Sequence, residues 1–331
     1  MRGILRNEAG LAVKEEKKKM KVSDIGEFGL IERIRKSTRA RDKNIIIGIG
    51  DDAAAIKAPG HKYILLTTDT LVEGVHFDLK YFNFFELGWK LMAVNLSDIA
   101  AMGGKPEYAL VTLGLPKNTK VSDIDSFYSG IKALGKKHDV KVIGGDIVNS
   151  PKSLFFTMDV FGTAGKVIRR SGAGIGDVIA AIENFGSSSA GLTALKRYGR
   201  KALSLKPCAF NSRSHLMPLP MVDEGRRIAK YATSMMDNSD GLARCLIEIC
   251  KESKVGAKVY LGKIPLAKGA NLKDALDGGE DYNLVFTLSR NKIRSIKNCR
   301  IIGEITSGKR IYLIGSNGRK STLKDKGYEQ I

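Results

Sequence analysis

The stretch Leu65-Leu66-Thr67-Thr68-Asp69-Thr70-Leu71-Val72-Glu73-Gly74-Val75-His76-Phe77 opens as a buried strand and runs into hydroxyls, a carboxylate, a glycine and a histidine. An apolar strand that runs into such a cluster places polar groups at the strand's end, where α/β and α+β proteins build sites. A simpler reading exists, because Thr-Thr-Asp at a strand end also forms turns that bond their own backbone. The choice depends on whether other strands of the chain finish the same way.

They do. Ile45-Ile46-Ile47-Gly48-Ile49 runs into Gly50-Asp51-Asp52-Ala53-Ala54, and Val140-Lys141-Val142-Ile143 into Gly144-Gly145-Asp146. Met235-Met236 is followed by Asp237-Asn238-Ser239-Asp240-Gly241-Leu242, and Gly278-Gly279-Glu280-Asp281-Tyr282 precedes an apolar strand over 283–288. Asp240 has a simpler reading as the N-cap of the helix that follows.

Working outward, a helix is expected from Phe84 to Met102, with Asn83 as cap and Gly103 as its C-terminal stop. Its second half is rich in small residues and sets Asn95 and Asp98 on one face. Strands are expected over 107–113 and 154–162, with a helix over 121–138 between them. The order is strand, strand, helix, strand, helix, strand, strand, which predicts an α+β domain with a mixed or antiparallel sheet. An earlier helix starts near Ser23 or Asp24, either of which can cap it; Phe28, Ile31 and Ile34 share a face. Residues before Met20 carry no periodic pattern.

Composition shifts at Arg169-Arg170-Ser171-Gly172-Ala173-Gly174, a Gly-rich joint in which Arg170 can hold a phosphate bidentately. We expect an N-terminal extension over 1–22, one domain over 23–168 and an α/β domain over 169–331. In the latter, a strand over 178–182 precedes helices reaching Tyr198, over 221–231 and from Leu242 to Lys251. Short strands and one helix close the chain. A length of 331 residues suits two cores.

The four cysteines, Cys208, Cys245, Cys250 and Cys299, show no CxxC spacing and read as reduced thiols of a cytoplasmic protein. No apolar run is long enough to span a membrane. The net charge of +20 is scattered along the chain. Scatter favours a solvated basic surface or attraction of small phosphorylated substrates over nucleic-acid binding.

If several of the end-of-element carboxylates converge, they repel. Two at about 4 Å cost on the order of 4 kcal/mol at an effective dielectric near 20. Cations or protons must then sit among them. With no His/Cys set alongside, Mg²⁺ fits better than zinc, and Mg²⁺ held this way completes its shell with water and phosphate oxygens. That points to nucleotide-dependent phosphoryl transfer. No Walker pattern and no His-Arg-Asp kinase set is present.

Six blocks in this order resemble thiamine-monophosphate kinases: 48–54, 67–77, 95–103, 144–146, 237–242 and 278–282. That family lies in the ATP-using superfamily of aminoimidazole ribonucleotide synthetase and selenophosphate synthetase. The resemblance covers residues 23 to 328. It implies a mixed N-terminal sheet that joins a second subunit's sheet in a barrel, hence a homodimer, and a C-terminal α/β sandwich. It implies Mg²⁺ at Asp52, Thr67, Thr68, Asp69, Asp98, Asp146, Asp237 and Asp240, with Asp69 and Asp240 catalytic. ATP would meet Tyr128, Gly145, Asp146, Arg170 and Ser239. Thiamine monophosphate would meet His76, Glu280 and the position of Asp325, where many members carry an aromatic residue. Glu183 stands where members carry the first glycine of a Gly-x-x-Gly turn, and Met217 and Met221 stand where arginines are common.

Neighbouring readings are an aminoimidazole ribonucleotide synthetase-like enzyme, or a basic phosphate- or nucleic-acid-binding protein without catalysis. Selenophosphate synthetases use a cysteine or selenocysteine near the N-terminus, whereas the first cysteine here is Cys208. Hydrogenase-maturation relatives end in cysteine, whereas this chain ends Tyr328-Glu329-Gln330-Ile331.

Overall fold

The computed structural model describes residues 21–38, 42–60 and 62–324. The expected extension therefore lies almost wholly outside the described residues, as does Asp325. A 3-10 turn at Val22–Asp24 precedes α1 (Gly26–Ser37). Neither Ser23 nor Asp24 caps α1. Asp24 instead accepts a hydrogen bond from Lys21 N at 2.8 Å inside the 3-10 turn, and α1 starts beyond it.

The first half continues with β1 (Ile45–Ile47), β2 (Ala54–Lys57), β3 (Tyr63–Val72), α2 (Phe84–Ala101), β4 (Lys105–Leu115), α3 (Val121–His138), β5 (Lys141–Asn149) and β6 (Phe155–Ala164). These strands form one sheet in the order β1-β2-β3-β6-β4-β5, antiparallel except for β4 and β5. This is the mixed sheet that the strand–helix order predicts.

One expectation needs correction. Thr67, Thr68 and Asp69 do not sit at a strand end. β3 pairs with β6 without a break from Tyr63↔Ala164 to Val72↔Phe155, which leaves the three polar residues mid-strand. Thr and Val favour extended backbone, and Asp69 is the one turn former between Leu65 and Gly74, so the pairing with β6 carries the ladder through the polar cluster. Side chains alternate along a strand. Leu65, Thr67, Asp69 and Leu71 therefore share one face, and α2 packs against this strand.

Helix α2 is the axis of the molecule. Asn83 and Glu86 close a capping box at 2.9 Å in each direction. Almost every residue of α2 is buried, because it touches β3 and β6 on one side, α3 on another, and the second half of the chain on a third. Close approach to α3 requires two glycines. A Cβ on Gly88 would stand 1.9 Å from Phe127 O, and one on Gly130 1.9 Å from Phe85 O.

The second half comprises β7 (Val178–Ile182), α4 (Ser187–Tyr198), α5 (Cys208–Leu216), α6 (Val222–Ile228), β8 (Ser234–Asp237), α7 (Leu242–Ser253), β9 (Gly256–Tyr260), α8 (Leu272–Asp277), β10 (Leu284–Leu288), β11 (Cys299–Thr306), β12 (Ile311–Ile314) and β13 (Lys320–Thr322). Its sheet runs β13-β12-β9-β11-β7-β10-β8. The helix expected at 221–231 is shorter, as α6. The helix expected near the end is only a 3-10 turn, Arg290–Ser295. Among the described residues no helix is long and apolar enough to cross a membrane.

Candidate active site

Four parts of the chain deliver carboxylates to one place. The turn between β1 and β2 supplies Asp51 and Asp52, β3 supplies Asp69, α2 supplies Asp98, and the end of β8 with the turn beyond it supplies Asp237 and Asp240. All line one cavity of about 720 Å³. Oxygens of Asp52, Asp98 and Asp237 lie within 4.8 Å of one another. The juxtaposition depends on α2, which touches β8 as well as β3. Ser97 on α2 donates to Asp237 Oδ2 at 2.6 Å, and Thr67 on β3 donates to Asp98 Oδ2 at 2.5 Å.

Burial and mutual repulsion push these carboxyls upward. Asp69 is raised to about 7 by burial, then by Asp240 and Asp52. Asp51 also rises to about 7, through burial and its neighbour Asp52. Asp98 and Asp237 stand well above the ordinary range, chiefly from burial. Asp240 rises to about 6, from burial and then Glu27 on α1. Arg170 gives partial relief, with Nε 3.0 Å and Nη2 2.5 Å from Asp52 Oδ1. The guanidinium expected to grip a phosphate is therefore engaged by a carboxylate here.

Asp52 Oδ2 is buried and has no hydrogen-bond partner. An orphaned carboxylate oxygen facing two further carboxylates calls for a cation. The donors nearest one another are all oxygen, which suits a hard ion such as Mg²⁺. The residues thus fit the implied metal.

The same cavity is lined by His76, Tyr81, His215 and Glu280. Val72 N–H donates to His76 Nδ1 at 3.0 Å. Thr68, Ser239, Ser188, Ser189 and Lys196 line the wall. Asp240 is not the cap of α7, since Gly241 occupies that position.

Three expected site residues are not brought here. Asp146 and Gly145 lie on β5, exposed at the sheet edge, and Tyr128 packs half-buried on α3 against the first core. None lines the cavity. β5 stands three strand positions from β3, a separation of about 14 Å. Sequence reasoning in turn missed Glu27, Tyr81, Lys196 and His215. His215 carried no signal, because α5 lacks a clear periodic pattern.

Comparison with known proteins bears on this arrangement. Residues 50–164 match the model of the AIR synthase related protein N-terminal domain, and 174–316 that of its C-terminal domain. A curated relative, the thiamine-monophosphate kinase of Buchnera aphidicola subsp. Schizaphis graminum, is 36% identical over 326 residues, covering 93% of this chain and 99% of the relative. The chain belongs to the thiamine-monophosphate kinase family.

Another thiamine-monophosphate kinase, from Aquifex aeolicus, is 34% identical over 310 residues, covering 89% of this chain and 96% of its own. Among solved structures, AaThiL complexed with AMPPCP and TMP superposes with a TM-score of 0.85 at 33% identity, covering 94% of this chain and 99% of that one. E. coli HypE, a hydrogenase maturation protein, shares the fold at 17% identity and a TM-score of 0.65, covering 79% and 85%. Glu183, at the position of the family's first turn glycine, adopts φ 67.

Proposed function

We propose that this protein uses ATP to phosphorylate thiamine monophosphate, giving thiamine diphosphate. The observation that carries the reading is the trio Asp52, Asp98 and Asp237 within 4.8 Å, with a buried oxygen lacking a partner. Asp52, Asp98 and Asp237, with Asp69, Asp240, the Thr67 hydroxyl and the adjoining Thr68, would hold Mg²⁺. Bound there, Mg²⁺ neutralises phosphate charge so that two polyanions can approach.

The transfer is direct and in line, without a side-chain base. The acceptor is a phosphate monoester whose second pKa is about 6, so at neutral pH it has no proton to remove. His76 is the rival base, and its geometry argues against that role. Nδ1 accepts the Val72 amide, so in the neutral ring the proton sits on Nε2. Such a ring donates a hydrogen bond and has no spare lone pair for a proton. His76 therefore positions the substrate, together with Glu280. Ser239 and Arg170 serve the nucleotide.

Two copies would pair through the edge strand β5, which leaves Ile143 61% and Ile147 69% exposed on an edge unpaired among the described residues. A barrel closed this way would carry Asp146, Gly145 and Tyr128 of each copy toward nucleotide and metal. We assign residues 23–168 to ATP and Mg²⁺ binding and dimerisation, and 169–331 to the second domain. Incubation with ATP, Mg²⁺ and thiamine monophosphate tests the reading. Thiamine diphosphate should accumulate, one per ADP, and its absence would reject the proposal.

A further inference from the structure

Lys90 stands in the midst of α2 between Trp89 and Leu91, and none of it reaches solvent. Its Nζ lies 2.7 Å from Glu280 Oε1 and 5.2 Å from the centre of the Phe82 ring. The contact has ion-pair distance but poor hydrogen-bond direction, so the ammonium acts mainly as a charge. On the other side of Glu280, His215 Nδ1 is 3.2 Å from Oε2 and 2.9 Å from Ser188 Oγ. Burial and the nearby Lys90 lower His215 to about 3, so the ring is neutral. Glu280 alone of this group is partly exposed, at 26%, and it lines the cavity with His76 and His215.

The backbone around Glu280 is fixed at some cost. Glu280 and Tyr282 adopt φ 63 and φ 53, a region that side chains other than glycine enter at about 1–2 kcal/mol per residue. Neighbours over-determine the loop. Glu280 N donates to Ser239 O at 2.6 Å and Tyr282 N to Asn238 O at 3.0 Å. The Asp281 carboxylate accepts from Gly186 N at 2.6 Å and Ser188 N at 2.9 Å. Asp281 is thereby turned toward the start of α4, and Glu280 toward Lys90 and the cavity.

Stability does not account for Lys90. A buried ion pair usually contributes no more than apolar residues of the same volume, because desolvation cancels the attraction. A lysine wholly enclosed in an apolar helix, against a strained glutamate that faces the cavity, serves what the glutamate binds. We propose that Lys90 is a positioning residue, whose enclosed ammonium holds the Glu280 carboxylate ionised and aimed so that it receives the cationic or N–H-donating end of the substrate. The inference rests on the kinase reading. Thiamine monophosphate offers such an end opposite its phosphate: a thiazolium cation and an aminopyrimidine. Burial alone would raise the Glu280 carboxyl, yet the charges facing it, Lys90 foremost, outweigh burial and hold it below the usual range.

The test is a double-mutant cycle of Lys90→Met and Glu280→Gln in the full chain. Each variant is read by KM for thiamine monophosphate, KM for ATP, kcat, calorimetric binding of thiamine monophosphate, and thermal midpoint. Lys90→Met should raise the thiamine monophosphate KM and Kd at least tenfold while ATP KM and kcat stay within about threefold. The double variant should bind no more weakly than Glu280→Gln alone, because Lys90 acts through Glu280. It should also recover the midpoint that Lys90→Met loses, so a poorly folded single variant leaves the cycle readable. Unchanged thiamine monophosphate affinity in Lys90→Met, equal losses for ATP, or effects that multiply in the double variant would each overturn the proposal. A wild-type chain that binds thiamine monophosphate yet forms no product would count against the kinase reading alone. A wild-type chain that does not bind it would overturn both.

Discussion

Replacing Asp98 by Asn should make the metal-free protein more stable and the enzyme inactive. Asp98, Asp52 and Asp237 oxygens lie within 4.8 Å, and Asp69 adds to the repulsion at Asp98. One ionised pair at that distance costs about 3.5 kcal/mol at an effective dielectric near 20. Protein and solvent limit the penalty by protonation, which at pH 8 costs a carboxyl of ordinary pKa about 6 kcal/mol. The relief on removing Asp98 therefore lies at about 3–6 kcal/mol. For a cooperative chain of this length that is a rise of about 4–9 °C in midpoint. The new amide's carbonyl can still accept the Thr67 hydroxyl, so little else changes.

The pH dependence follows from the sign of the shift. The folded-state pKa of Asp98 is raised, so its contribution to stability is complete below the ordinary value and is lost as pH rises through the raised one. Variant and wild type should match near pH 4 and diverge up to pH 8, because the asparagine side chain does not titrate. Thermal unfolding in EDTA from pH 4 to 9 measures this. Adding Mg²⁺ at pH 8 should stabilise the wild type more than the variant, closing the gap. A variant no more stable than wild type at pH 8 in EDTA would refute the claim that repulsion dominates the site.

Asp69→Asn or Asp240→Asn should abolish turnover, by at least about a hundredfold, with the far-ultraviolet spectrum unchanged; near-normal activity in both would remove them from the centre. His76→Gln should raise KM for thiamine monophosphate and spare kcat within about tenfold, whereas a kcat collapse reversed at high pH would make His76 a base. Gly88→Ala should cost about 3 kcal/mol or more in urea unfolding, because the new Cβ meets Phe127 O at 1.9 Å. Glu183→Gly should add about 0.5–1 kcal/mol, since relief of a left-handed φ exceeds the entropy glycine loses on folding; a lower denaturation midpoint would contradict it.

Much of this was legible in the residues because punctuation and chemistry coincided. Asn83 marked the start of α2 and Gly103 its end; both are sound because caps are local, and Asn83 does accept from Glu86 N. The acidic blocks announced themselves for a different reason: carboxylates beside apolar strands are costly and have to be explained. What failed were inferences that needed tertiary knowledge. β3 runs on through Thr67-Thr68-Asp69 because β6 pairs with every residue of it, and no local rule contains that partner. Asp146 looks like Asp237 in sequence, yet within one chain its strand lies at the sheet edge, where its carboxylate accepts from Ile147 N at 2.9 Å, and only the proposed pairing of two copies would bring it to a cavity. Lys90 could have been flagged, since a lysine amid Trp89, Leu91 and Met92 must find a partner. That the partner is Glu280, almost two hundred residues on, was beyond any pattern.

Charge needs a reading at two ranges. The chain carries +20 overall, which attracts phosphorylated molecules from solution. The cavity is the opposite: ten carboxylates line it, against the permanent cations Arg170 and Lys196. At physiological salt, charges beyond about 8 Å are screened, so the basic surface cannot neutralise the interior of the cavity. A bare polyphosphate would be drawn to the protein and then repelled from the site. Only phosphate accompanied by divalent cations satisfies both fields. The proposed reaction places two phosphates where they would otherwise repel each other and the protein alike, so saturation with metal should precede productive binding of either. Activity should therefore rise more steeply than first order in free Mg²⁺ at fixed ATP–Mg²⁺. A dependence on ATP–Mg²⁺ alone, flat in free Mg²⁺, would show that the nucleotide's own ion suffices and that the acidic cluster is neutralised by protons instead.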